Sequence, residues 1–246
     1  MPASQRAAAV IAHRGASAYH PEHTFDAYDC ALAMGADRLE LDVRATADEA
    51  LVVLHDPTLA RTAGVPGAIA RTGRAELLAL APGRRPLTLD EVLGRYGRRT
   101  SYLVELKDPA PRDAFLLLEV LARHDVDGRV AVQSFDRAAL LQLSALDAGF
   151  PLALLYRPSW SPEAIVRDVP AVAGWAGGIA PAAVSVDAAV VAAAHHRGLA
   201  VHAYTVNADP EMRRLLALGV DGLITDVPDR ARSVVDGAAA PVLAAA

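Results

Sequence analysis

Short apolar runs alternate with stretches of helical period along most of this chain. Residues 10–12 form a first apolar strand. Thr24 then stands where it can cap a helix over 25–34, and Gly35 lies past its end to take the left-handed backbone that closes a helix. In 39–43 apolar and acidic residues alternate, so Leu39, Leu41 and Val43 share one face of a strand while Glu40 and Asp42 share the other. The apolar run at 51–55 follows too soon for a helical crossover and is expected to return beside 39–43 as a hairpin. With the turn centred near Asp48 and Glu49, His55 falls roughly opposite Asp42. Residues 57–86 are rich in Gly, Pro and Arg and, apart from a short run over 75–80, hold no sustained period, which marks an insertion.

The rhythm then resumes. Thr88 and Glu91 make a capping box for a helix to residue 96, and the alternation over 102–107 puts Leu103, Glu105 and Lys107 on one strand face. Further strands are expected over 130–134, 152–156, 178–180, 201–206 and 222–225. Between them come helices over 112–124, 137–147 and 210–218, a short one opened by Ser161-Pro162-Glu163, and one capped by Asp187 that runs to 196 before Gly198. Without the hairpin arm this makes eight strands in β/α order, the number of a (β/α)₈ TIM barrel. The expected organisation is a single α/β barrel domain over 1–246, with 57–86 as a short cap-like insertion after the second strand. The Ala-rich stretch 237–246 is expected to be a flexible tail.

Composition narrows the function classes. The 246 residues are 53% hydrophobic, ample for one core, and a net charge of −5 with pI near 5.9 speaks against nucleic acid or an anionic membrane as the main partner. A small anion could still be bound locally. Cys30 is the only cysteine, which rules out an internal disulfide. The N-terminus shows neither a signal-peptide core nor a membrane span, so a cytoplasmic enzyme without stable membrane insertion is the simplest expectation.

Barrels carry their chemistry at strand ends, and His13, His55, Glu40 and Asp42 all fall there. Like charges buried side by side need a cation or a proton between them, so Glu40 and Asp42 are either a metal site or solvated surface carboxylates. Their apolar flanks argue against a solvated edge. Glu105 adds a third hard oxygen, a set that suits Mg²⁺ or Ca²⁺ and not zinc, and the competing reading is a buried carboxylate network paired to Lys107 and Arg14.

The motifs His13-Arg14-Gly15, Pro21-Glu22-His23-Thr24, Glu40-Leu41-Asp42 and His55-Asp56 resemble the opening signature of the glycerophosphodiester phosphodiesterase family, of the PLC-like phosphodiesterase superfamily. His23 departs from the family's usual Asn. Glu105-Leu106-Lys107, Gln133-Ser134-Phe135, Tyr204-Thr205-Val206-Asn207 and Thr225-Asp226 continue the resemblance in order, so it spans nearly the whole chain.

The resemblance implies metal-dependent hydrolysis of glycerophosphodiesters to glycerol 3-phosphate and an alcohol through a cyclic phosphate. His13 and His55 would then be the acid and base, and Glu40, Asp42 and Glu105 the metal ligands. Arg14 would grip non-bridging oxygens bidentately and Lys107 would add a point charge. Glu22 resembles a position near the family's metal centre, with His23 beside it. Tyr204 stands where the family commonly has Trp and is expected to pack on the glycerol carbons while its hydroxyl meets water. Phe135 could do likewise, although core packing suits it better. His20, His124, His195, His196 and His202 read as structural, and Trp160 and Trp175 as packing or oligomer surface. A lipid phosphodiesterase of the same superfamily and a non-catalytic phosphodiester-binding barrel are the alternatives.

Overall fold

The computed structural model describes residues 8–81 and 83–239. From β1 (Ala9–Ala12) the chain turns through Arg14 and Gly15, both at positive φ, into the loop before α1 (Phe25–Ala33). Thr24 caps that helix as expected, its hydroxyl accepting the Ala27 N–H. Strands β2 (Arg38–Ala45) and β3 (Leu51–Val53) form the antiparallel hairpin. Val43 pairs with Val53, so Leu54 falls opposite Asp42 and His55 one position beyond, a single step from the expected register.

The insertion holds α2 (Ala60–Ala63), one 3-10 turn (Ile69–Arg71) and α3 (Arg74–Leu78). Leu59, Ala63, Ile69 and Leu77 close on Val52 and Leu54 of the hairpin arm, a small apolar cluster of its own. The chain returns along β4 (Leu87–Thr88), which the sequence pattern does not announce, and enters α4 (Leu89–Tyr96) through the expected capping box.

Strands and helices then alternate: β5 (Ser101–Leu106), α5 (Asp113–Ala122), β6 (Val130–Ser134), α6 (Arg137–Ala145) and β7 (Leu152–Tyr156). After these come α7 (Pro162–Val172), β8 (Gly178–Pro181), α8 (Ala188–His196), β9 (Ala200–Ala203), α9 (Asp209–Leu218), β10 (Gly222–Thr225) and α10 (Pro228–Ala239). Because β1 pairs in parallel with both β2 and β10, the eight strands other than β3 and β4 close into a (β/α)₈ barrel. The alternation works as read: Leu39, Leu41 and Val43 pack outward against helices, whereas Ile11, Leu103, Ala131 and Ile224 fill the base of the barrel interior.

Three differences have physical causes. The strand expected over 201–206 leaves the ladder after Ala203, since Tyr204 bridges to Ala182 and the Val206 N–H bonds the Ile224 carbonyl, which carries the segment toward the barrel mouth. The helix opened by Ser161 is not short; it runs for 11 residues with Pro162 in its first turn, where a missing N–H costs nothing. Helix α10, not foreseen, buries Ala231, Val234 and Val235 and takes in residues 237–239 of the expected tail, while 240–246 lie outside the described residues.

Gly15 carries the turn that delivers His13 and Arg14 to the barrel mouth. Its φ is +86°, and a Cβ there would lie 2.8 Å from the backbone carbon and Cβ of Ala27. Gly15→Ala is therefore expected to lower the unfolding free energy by about 2–4 kcal/mol, measured by urea denaturation. A change below about 0.5 kcal/mol would show that the loop moves away from α1 without strain.

Candidate active site

Strand register brings the acids together. Asp42 of β2 pairs with Glu105 of β5, and Glu105 with Gln133 of β6, so these three side chains share the interior at one level, with Glu40 one step deeper on β2. Glu40, Asp42 and Glu105 are buried and can each offer an oxygen within 4.8 Å of the others. That spacing matches oxygens around one hard cation at about 2.0–2.6 Å from each.

Positive charge surrounds the cluster. Lys107 Nζ sits 2.7 Å from Glu105 Oε1 and 3.1 Å from Asp42 Oδ1, and Arg14 Nε forms an ion pair with Asp42 Oδ2 at 3.0 Å. The Arg14 backbone N–H donates to Glu40 Oε2 at 3.0 Å. Asp42 Oδ1 and Glu105 Oε1 are both buried, with the Lys107 ammonium as their ionic partner. Both readings weighed from the sequence are thus present together: three convergent acids, and a salt-bridged network around them.

The three acids titrate apart. Burial, reinforced by the Asp42 and Glu105 charges, pushes Glu40 well above the usual carboxylate range. Burial and the Asp42 charge raise Glu105 to about 7. Burial would raise Asp42 as well, but the His23 hydrogen bond and the Lys107 and Arg14 charges outweigh it and hold Asp42 well below the usual range. One permanent carboxylate therefore stands beside two acids disposed to carry protons, which a bound cation would release.

His23 backs Asp42. It sits at φ +56°, where Asn and His are the better tolerated side chains, with Nε2 3.0 Å from Asp42 Oδ2 and Nδ1 2.8 Å from the Tyr28 hydroxyl. Burial lowers its pKa and the phenol of Tyr28 is pushed well above its ordinary value, so a neutral ring accepts from Tyr28 O–H and donates to Asp42. This is a role an Asn amide can also fill, which accounts for the departure at this position.

The two histidines reach the same cavity, about 660 Å³ in volume, that Glu40, Glu105, Arg14 and Lys107 line. Ala12 pairs with Thr225, and the His13 N–H bonds the Thr225 carbonyl, so the His13 ring meets Asp226 with Nδ1 2.6 Å from Oδ1. Ser17 Oγ and Asn207 Nδ2 also donate to Asp226, at 2.9 and 2.5 Å. His55 Nδ1 lies 2.8 Å from Asp56 Oδ1, and burial lowers the His55 pKa. Each imidazole thus donates Nδ1–H to a carboxylate and keeps Nε2 for other chemistry.

Two expectations need correction. The Tyr204 hydroxyl, expected to meet water, has a protein partner instead: it donates to the Tyr156 carbonyl at the end of β7 at 2.8 Å. Phe135 is not a core residue: it lines the cavity edge-on to Tyr204, with Arg157 stacked 4.4 Å from its ring centroid. Glu22 stands outside the acid cluster, 3.4 Å from Arg14 Nη1 and paired bidentately with Arg61 at 2.7 Å. Local period does not single out Asp226, Asn207, Ser17 or Arg61; the Thr225-Asp226 and Tyr204-to-Asn207 motif pieces carry a signal for the first two alone.

Residues 13–230 match the sequence profile of the glycerophosphoryl diester phosphodiesterase family. A glycerophosphodiester phosphodiesterase of Bacillus subtilis is 31% identical over 255 residues, which cover 92% of this chain and 86% of that protein. One of Bacillus altitudinis is 33% identical over 238 residues, covering 90% and 96%. Among solved structures, a phosphodiesterase of Oleispira antarctica in complex with the product sn-glycerol-3-phosphate is similar with a TM-score of 0.80 at 26% identity, covering 93% of this chain and 96% of that one.

Burial works to raise Asp226, yet the hydrogen bonds from His13, Asn207 and Ser17 prevail and hold it at about 2, against an ordinary value of 3.8. A lowered carboxyl contributes stability that is complete above the unfolded value and is lost as pH falls through the folded one. The wild type should therefore lose about 2 kcal/mol of unfolding free energy between about pH 4.5 and pH 2 that Asp226→Asn does not lose, followed by urea titration at each pH. Parallel curves for the two proteins would remove this role for the carboxylate.

Proposed function

The chain belongs to the glycerophosphoryl diester phosphodiesterase family and is a phosphoric diester hydrolase of that kind, and on that footing we propose how its residues divide the work. His13 and His55 act as the acid–base pair, and Glu40, Asp42 and Glu105 hold a divalent metal. Two carboxylate-backed imidazoles line one cavity with Glu40 and Glu105, and the buried Asp42 lies within 4.8 Å of both acids; this arrangement is the observation that carries the reading. The donor set is all oxygen, which fits a hard cation such as Mg²⁺ or Ca²⁺.

In the first step the glycerol 2-hydroxyl attacks phosphorus: one imidazole takes the hydroxyl proton while the other gives a proton to the departing alcohol oxygen. Water then opens the cyclic phosphate to glycerol 3-phosphate with the two roles exchanged. Asp226 and Asp56 fix the ring tautomers and stabilise whichever imidazolium forms. Arg14 and Lys107 offer positive charge to the non-bridging oxygens from the wall they share with the acids. When bound, a divalent ion would polarise the phosphoryl oxygens and lower the pKa of the attacking hydroxyl. Arg44, Asp108, Arg157 and Ser159 give the cavity a charged and polar lining, which favours water-soluble diesters over lysophospholipids. Among the described residues no helix is long and apolar enough to cross a membrane.

His13→Ala and His55→Ala should each lower kcat on glycerophosphodiesters by about 10²–10⁴-fold with the thermal unfolding midpoint nearly unchanged. Near-normal turnover in either variant would defeat the acid–base assignment. Chelation with EDTA should abolish turnover and added Mg²⁺ or Ca²⁺ should restore it. Full activity in EDTA, or recovery with Zn²⁺ alone, would count against the three-carboxylate cation site.

A further inference from the structure

Arg61 projects from α2 of the insertion, and no role in the reaction follows for it from the motifs. Its guanidinium makes one close contact after another with the catalytic wall. Nη1 and Nη2 each donate to one oxygen of Glu22 at 2.7 Å, and Nε donates to Asp56 Oδ2 at 2.6 Å. The opposite oxygen of Asp56 holds His55 Nδ1 at 2.8 Å, and Glu22 faces Arg14 Nη1 at 3.4 Å. Arg14 in turn is paired with Asp42. A single planar side chain thus spans the two carboxylates that orient the proposed proton carrier and the proposed phosphate-gripping arginine.

We propose that Arg61 is a positioning residue: by bridging Asp56 and Glu22 it sets the orientation of His55 and Arg14, and so couples the docked insertion to the competence of the active site. The proposal rests on the acid–base reading of His55. A structural salt bridge alone would not need this geometry. The position of α2 is already secured by Leu59 and Ala63 in the apolar cluster against Val52 and Leu54, and ion pairs of half-exposed arginines add little to stability. What the guanidinium supplies is direction, since its fork points three N–H groups at fixed angles to three oxygens of two carboxylates, and a lysine ammonium has no such fork.

Its charge also matters to the dyad. The Arg61 hydrogen bond is the main cause that lowers the Asp56 carboxyl. His55 is faced by Asp56 and Asp42, which favour its protonated form, and by Lys107 and Arg14, which oppose it. Without Arg61 the Asp56 charge would act on His55 uncompensated, and the imidazole would bind its proton more tightly.

The test is steady-state kinetics across pH together with NMR titration of the His55 ring in wild type, Arg61→Ala and Arg61→Lys. We expect Arg61→Ala to lower kcat by about 10–100-fold with KM within about threefold, and to move the His55 titration to higher pH by about half a unit or more. Arg61→Lys should recover only part of kcat, because an ammonium cannot hold both carboxylates in line. If Arg61→Ala fails to fold, Arg61→Lys alone carries the comparison, and wild-type kcat with an unmoved His55 titration in it would overturn the proposal. A rise in KM with kcat unchanged would also overturn it, assigning Arg61 to substrate contact. His55→Ala, run alongside, separates the cases: if that variant is active the acid–base reading itself is wrong, whereas an inactive His55→Ala beside a fully active Arg61→Ala refutes only the role of Arg61.

Discussion

Asp42 and Glu105 face each other across neighbouring strands inside the barrel, with Glu40 one step away, and all three are buried. Three carboxylates confined to a few ångströms repel strongly at low effective dielectric, and much of the surrounding structure answers that repulsion. Lys107 reaches two of them, Arg14 contributes both its side chain and its backbone N–H, and His23 donates from behind. The loop from His13 to Thr24 takes positive φ at Arg14, Gly15 and His23 because its backbone must bend close enough to make those contacts. A fold that buries this much negative charge at one end of a sheet is one in which a cation is the natural complement.

The histidines answer a different need. Each has its carboxylate at Nδ1, but the two carboxylates arrive by different routes: Asp56 is the next residue in the chain, and Asp226 comes from the far strand through barrel closure. Asn207 and Ser17 are arranged around Asp226, so its orientation is over-determined, whereas Asp56 depends on Arg61 from the insertion. The two proposed proton carriers are therefore supported by different parts of the molecule, one by barrel closure and the other by the insertion.

Much of this was legible in the residues and some was not, for reasons that follow from range. Alternation within 39–43 sufficed to put Glu40 and Asp42 on one face, and turn symmetry brought His55 within one residue of its true partner position, because both depend only on local period. Strand order closed the barrel, yet the pairing of His13 with Asp226 needed the register between β1 and β10, which no local period encodes. The insertion resisted reading because its helices are short and its apolar positions, Leu59, Ala63, Ile69 and Leu77, make sense only against the hairpin arm. The partner of Tyr204 is hidden from the sequence for the same reason: its hydroxyl finds a carbonyl of β7, 48 residues away in sequence.

Barrel closure joins the thirteenth residue of the chain to the two-hundred-and-twenty-sixth. During synthesis His13 emerges long before Asp226 and α10, which pack beside β1. A nascent or prematurely ended chain then carries the whole signature motif without its buttress. On the proposed acid–base reading, turnover in such a molecule would wait until β10 docks against β1, so activity would report that the barrel has closed.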